Sequence, residues 1–147
     1  MQLPSFLLSA SDDKTYSEQD FQKGKYILYI YPKDMTPGCS REAQDFQRLQ
    51  KEFQKLDIHI LGLSKDSVTS HKKFCQKESL SFPLLSDPDG TLIKALGAWK
   101  EKSMYGKKYM GIDRSTLYIQ NGKIQKEWRG VKATGHAEEV LHFCKKH

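Results

Sequence analysis

Residues 25–53 read KYILYIYPKDMTPGCSREAQDFQRLQKEF, and the change of pattern inside this stretch decides the fold. KYILYIY, residues 25–31, is a continuous apolar run rich in Tyr and Ile, the pattern of a strand in a sheet covered on both faces. From Cys39 the apolar residues Ala43, Phe46, Leu49, Phe53 and Leu56 recur at steps of three and four, so one stripe of a helix faces the core over roughly four turns. Pro37 and Gly38 stand just outside that stripe. Cys39 therefore falls where a strand hands over to the first turn of a helix.

The flanking sequence continues the alternation. DIHILGLS (57–64) reads as the next strand and SVTSHKKFCQKES (67–79) as a second helix. Strand, helix, strand, helix in succession implies parallel pairing through right-handed crossovers. FPLLSDPDG is a short strand ending in a turn, and TLIKALGAW a short helix stopped by Gly97. KEKSMYGKKYMGID is a polar stretch, after which RSTLYIQ and KIQKEWRG flank Asn121-Gly122, a pair suited to a tight hairpin turn with positive φ at both central residues. HAEEVLHFCKK has the spacing of an amphipathic helix. Upstream, residues 3–9 are expected to form a short edge strand and SEQDFQ, after Tyr16, a short helical turn. The order implies an α/β fold, a mixed central sheet flanked by helices, in a single domain over residues 1–147.

Composition narrows the function classes. Seven Tyr, seven Phe and two Trp in a chain that is 37% hydrophobic argue for a folded core rather than a disordered tail. The formal charge of +6 comes from lysines spread over the whole length, without a block of five like charges. That pattern favours a solvated surface over a nucleic-acid site, and leaves room for an acidic protein partner. No basic segment precedes the short apolar run near the N-terminus, and no stretch is long enough to span a bilayer, so the expectation is a cytoplasmic protein with reduced thiols and no membrane contact. Cys39, Cys75 and Cys144 are too few and too widely spaced for a disulfide scaffold or a cysteine-based zinc site. The five histidines never meet a cysteine at finger-like spacing, so neither a metal nor another cofactor is expected.

At the first turn of a helix, unpaired backbone amides and the positive end of the helix dipole favour a thiolate, the nucleophilic form of cysteine. Thr36, three residues before Cys39, both donates and accepts hydrogen bonds and can orient an oxygen of a bound substrate toward the sulfur. Pro32 ends the strand and offers no N–H, which helps keep water from that side. Glu42, three residues after Cys39, can either cap the helix start or orient an arginine. Singly, these residues read as a small buried hydrophobe, a turn former and a strand terminator; together they read as a reactive cysteine.

YPKDMTPGCSREAQDF (31–46) is similar to the active-site signature of peroxiredoxins, and closely resembles that of the bacterioferritin comigratory protein, or peroxiredoxin Q, subfamily. YGKKYMGIDRSTLYI (105–119) resembles the region of that subfamily that carries the catalytic arginine, whereas the usual Ala-Pro-Asp-Phe near the N-terminus is missing. The resemblance implies a thioredoxin-like fold and thiol-based reduction of hydrogen peroxide or organic hydroperoxides. It implies that Cys39 is the peroxidatic thiolate, oxidised to a sulfenic acid, with Thr36 contacting thiolate and peroxide and Pro32 shielding the pocket. Arg114 would stabilise the thiolate and polarise the peroxide bond. On its own residue context, Arg114 is a surface cation beside a strand.

Many members of that subfamily carry a resolving cysteine five residues after the peroxidatic one, where this chain has Gln44. A second group places it in the following helix, and Cys75, 36 residues after Cys39, matches that spacing. The resemblance thus implies an intramolecular Cys39–Cys75 disulfide, reduced by thioredoxin or a similar dithiol protein, in a monomer. Because a disulfide needs Cα atoms within about 7 Å, the turn around Cys39 is expected to unwind during the cycle. Two alternatives stay open at this point: Cys75 as a core residue beside Phe74, with a one-cysteine cycle through an external thiol, and a redox-responsive binding module without turnover. Cys144, beside Phe143, lacks the Val-Cys-Pro context of the typical dimeric peroxiredoxins and reads as a spare thiol.

Overall fold

A computed structural model describes residues 2–147. The chain runs through β1 (Leu7–Ser9), β2 (Thr15–Ser17), a 3-10 turn (Glu18–Phe21), β3 (Lys25–Ile30), α1 (Pro37–Lys55), β4 (Ile58–Ser64) and α2 (Val68–Glu78). It continues through β5 (Leu84–Ser86), α3 (Thr91–Ala95), β6 (Trp99–Met104), β7 (Lys107–Ile112), β8 (Ser115–Gln120), β9 (Lys123–Trp128) and α4 (His136–Lys146). Five strands form one mixed sheet in the order β5-β4-β3-β8-β9. The β3–β4 and β4–β5 pairs are parallel, as the crossover pattern requires, and β8 and β9 are antiparallel. This is the mixed α/β sheet that the order of elements implies, in the thioredoxin-like arrangement that the family resemblance implies.

Beyond Lys25, strand β3 is apolar because both of its faces are covered. Ile27, Tyr29 and Tyr31 join Cys39, Ala43, Phe46 and Phe53 of α1, Phe74 of α2 and Val140 of α4 in one cluster. Leu28 and Ile30 point the other way, to Phe21 and to Leu92 and Ile93 of α3. The alternation of a strand is preserved, but with apolar residues on both faces.

Helix α1 begins two residues earlier than the apolar stripe implies. Thr36 is its extended N-cap (φ −93°, ψ 150°) and Pro37 its first residue, so Pro37 and Gly38 lie inside the helix rather than outside it. Proline suits that position because its missing N–H would find no helical partner and its fixed φ is already helical. Ser40 makes the first helical hydrogen bond, to Thr36 O at 2.8 Å, which leaves the N–H groups of Gly38 and Cys39 ahead of it. Cys39 is the third helical residue, within the first turn as expected.

The N-terminal strand is shorter than residues 3–9 and pairs with β2, a partner the sequence did not suggest. The helix over TLIKALGAW stops at Ala95, and Trp99 already belongs to β6. The polar stretch after it is a two-stranded ribbon, β6 with β7, turned at Tyr105 and Gly106, both with positive φ (53° and 77°). Asn121 and Gly122 have φ of 52° and 80°, as the hairpin reading requires. Among the described residues, no helix is long and apolar enough to cross a membrane.

Candidate active site

The ribbon β6–β7 returns the chain to the sheet at Asp113, and Arg114 stands immediately before β8. From there its guanidinium reaches over the first turn of α1. Nη2 donates to Cys39 Sγ at 3.3 Å, and Nη1 donates to Glu42 Oε1 at 2.6 Å. Gly38 makes room for this approach, since a Cβ there would lie 3.3 Å from Arg114 Nη2. Cys39 is 1% exposed, and the Arg114 side chain is 15% exposed. The sulfur thus sits in a nearly closed site, facing one full positive charge and the amino end of a helix.

Glu42 orients the arginine and does not cap the helix. It is completely buried, and its second oxygen, Oε2, has no hydrogen-bond partner among the described residues. Burial pushes its carboxyl pKa up to about 7, Arg114 pulls against that rise, and Asp45 adds to it. On Arg114, burial disfavours the charge, but the attraction of Glu42 and Cys39 outweighs it and raises the guanidinium pKa. The arginine therefore stays a cation, while Glu42 titrates near neutrality.

Thr36 and Pro32 lie in the loop that leads into this turn. The Thr36 hydroxyl donates to Lys33 O at 2.8 Å, and no hydrogen bond joins it to Cys39 among the described residues. With its proton so committed, the oxygen is left to accept. Pro32 is half-buried.

Between them stands Asp34, which the sequence reading passed over. Its carboxylate accepts from Tyr31 Oη at 2.6 Å and Ser70 Oγ at 2.8 Å, and meets His71 Nδ1 at 2.7 Å. His71 Nε2 faces Leu85 O at 2.9 Å, so it carries a proton, and one further proton lies between Nδ1 and Asp34. Asp34 N–H also donates to Asp66 Oδ2 at 2.9 Å. This buried network ties the loop before Cys39 to α2, the helix of Cys75. Its signal in the sequence was a histidine on the apolar face of α2, one helical turn from Cys75. Asp34, Asp66 and His71 bring three ligand-type atoms within 4.8 Å of one another, but each already serves these internal hydrogen bonds.

The three cysteines are free thiols in three different settings. Cys75 is half-buried and bonds to Ser11 Oγ at 3.6 Å; burial raises its pKa, and the Ser11 hydrogen bond opposes that rise. It lines a groove of about 260 Å³ with Ser11, Asp12 and Leu80. Cys144 is packed in α4, where burial pushes its thiol up to about 11. Gln44 donates to Glu78 Oε1 at 2.6 Å, which links α1 to the end of α2.

Comparison with known proteins identifies one family. The AhpC/TSA family matches residues 1–127. Peroxiredoxin Bcp of Bacillus subtilis is 46% identical over 144 residues, 97% of this chain and 91% of that protein. Peroxiredoxin Bcp of Xanthomonas campestris is 49% identical over 122 residues, 82% of this chain and 76% of that protein. The structure of Xanthomonas campestris peroxiredoxin Q superposes with a TM-score of 0.91 at 44% identity, covering 97% of this chain and 90% of that one. A bacterioferritin comigratory protein of the same organism, studied for its alkyl peroxide reduction activity in trapped intermediate and ligand complexes, matches with a TM-score of 0.91 at 43% identity over 97% of this chain and 91% of that one.

Proposed function

The chain belongs to the AhpC/TSA family and is a peroxiredoxin, a thiol peroxidase acting on peroxides with a thiol reductant, and on that premise we propose that Cys39 is its peroxidatic thiol. The observation that carries this assignment is the Arg114 guanidinium 3.3 Å from Cys39 Sγ at the first turn of α1. The Cys39 thiolate attacks one peroxide oxygen, the S–O bond forms as the O–O bond breaks, and the other oxygen leaves as alkoxide or hydroxide and takes up a proton. Charge passes from sulfur to oxygen in this step, and the guanidinium with the free amides of Gly38 and Cys39 stabilises it. Thr36, as an acceptor, orients the protonated peroxide oxygen, and Pro32 shields the pocket.

Cys75 then attacks the sulfenic acid sulfur, an S–S bond forms, and the hydroxyl leaves as water. The groove at Cys75 gives a dithiol protein such as thioredoxin access to the resulting disulfide, and two thiol–disulfide exchanges return both cysteines to the reduced state. We place this cycle in a monomeric, single-domain protein in the cytoplasm, where its thiols are kept reduced. Hydrogen peroxide and organic hydroperoxides, alkyl peroxides among them, are the substrates.

The test is intact-mass and non-reducing peptide mapping after one equivalent of hydrogen peroxide, on wild type and Cys75→Ser. A Cys39–Cys75 linkage in the wild type, replaced by a Cys39 sulfenic acid in the variant, is the expected result. Sulfenic acid on Cys39 in both would mean a one-cysteine cycle with an external thiol, and an unmodified Cys39 would remove it from the peroxidatic role.

A further inference from the structure

Tyr29 in β3 and Tyr31 just beyond its end stand two residues apart, stacked on the same face, and only one of their hydroxyls is satisfied. Tyr31 donates to Asp34 at 2.6 Å. Tyr29 Oη is wholly buried and has no hydrogen-bond partner among the described residues. Its ring stacks on Phe46 (centroids 4.7 Å, planes at 19°) and meets Phe82 edge-on at 5.9 Å. Across the parallel pair its neighbour is Gly62, where a Cβ would lie 3.1 Å from Tyr29 Cζ and 3.2 Å from its hydroxyl. The missing side chain lets the phenol extend over β4 toward Leu84, whose Cδ2 lies 2.6 Å from the same Cβ position. Burial holds the phenol pKa well above its usual value, and the negative charges of Glu42, Cys75, Cys39 and Asp34 raise it further. Phe82, on the segment that leads from α2 into β5, thus packs against the ring, and Cys75 of α2 and Leu80 of that segment pack against the same cluster.

A phenylalanine would fill this space equally well and leave no orphaned donor. The hydroxyl disfavours only the closed state, since a movement of α2 that carries the Phe82 segment off the ring and admits water lets it hydrogen-bond. We propose that Tyr29 is a positioning residue for the resolution step: its unpaired hydroxyl weights α2 toward the opened arrangement in which Cys75 reaches Cys39. The inference rests on the two-cysteine cycle of the preceding section. Tyr31, whose hydroxyl is paired, serves as the internal control.

Tyr29→Phe removes the oxygen and keeps the ring. In the reduced variant, amide exchange over residues 68–80 slows by about tenfold and the melting temperature rises; Tyr31→Phe shifts both in the opposite direction. In stopped-flow turnover the variant forms the Cys39 sulfenic acid at the wild-type rate and the Cys39–Cys75 disulfide about tenfold more slowly, so more Cys39 goes on to sulfinic acid at high peroxide. Unchanged or faster exchange, a lower melting temperature, a failure to fold, or slower exchange with an unchanged rate of disulfide formation would each overturn the proposal. If the wild type forms no Cys39–Cys75 disulfide, the resolution step itself fails, and the exchange and melting results still decide what the Tyr29 hydroxyl does to α2.

Discussion

Arg114 and Cys39, 75 residues apart in the chain, meet at 3.3 Å because two different parts of the same sheet aim them at one point. β3 delivers the loop that starts α1, and β8, its antiparallel neighbour, starts one residue after the arginine. Ile30 and Ser115, paired across these strands, fix where the two side chains depart. The site is thus built on strand ends, and the helix supplies the amides.

The forked shape of the guanidinium, rather than its charge alone, is used here, since one nitrogen serves Glu42 and another serves the sulfur. Arg114→Lys keeps the charge but cannot hold both contacts. Its second-order rate constant for peroxide, measured by stopped flow, is expected to fall about a hundredfold. A lysine variant within a factor of two of wild type would mean that charge alone is sufficient.

Glu42 makes a pH prediction with a definite sign. Its carboxyl pKa is near 4.5 when exposed and about 7 in the folded protein, so the folded state binds the proton more tightly. Its contribution to stability is therefore fully present below about pH 4.5, is lost as pH rises to about 7, and is constant above that. Urea unfolding of wild type and Glu42→Gln across this window should show wild type losing about 3 kcal/mol relative to the variant. A difference that does not vary with pH would place the Glu42 titration elsewhere.

How much of this was legible depended on what each residue had to satisfy. Apolar period alone identified β3, α1, β4, α2 and α4, because each buries a face or a stripe. The ribbon β6–β7 was missed because most of its side chains face water, with Tyr105, Met104 and Met110 exposed, so no alternation marks it. Its turn uses Tyr105 at positive φ, a residue that does not announce a turn as Asn121 does. Cys39, Thr36 and Glu42 were legible through a short motif, since they are neighbours along one turn. Arg114 entered only through the family resemblance, and the link between Asp34 and His71 not at all, because it is set by how α2 packs against the loop after β3 and has no fixed spacing in sequence.

Cys144 is expected to be silent. Its thiol, pushed up to about 11 by burial, is almost wholly protonated at neutral pH, and a protonated thiol is a poor nucleophile. Cys144→Ser should form the Cys39–Cys75 disulfide at the wild-type rate, read by non-reducing mass mapping. Loss of that disulfide, or a Cys144 linkage in wild type, would sink this assignment.

The pair of Asp34 and His71 is costly to break from one side. The two side chains are essentially inaccessible to water (1% and 0% exposed) and 2.7 Å apart, and Asp34 also collects the hydroxyls of Tyr31 and Ser70. Removing His71 leaves a buried carboxylate with one partner fewer, and removing Asp34 leaves a buried imidazole and two hydroxyls without their acceptor. Either single change, His71→Leu or Asp34→Ala, should therefore cost about 3–5 kcal/mol in urea unfolding. The double variant removes the charge and its partner together and should cost less than the sum, giving a coupling of roughly 1–3 kcal/mol in a double-mutant cycle. Because the same network anchors the loop ahead of Cys39, Asp34→Ala should also slow sulfenic acid formation in the protein that remains folded. Additive stability losses with an unchanged rate of peroxide reaction would mean that Asp34 and His71 contribute to packing independently and leave the position of the catalytic turn to α1 and Arg114.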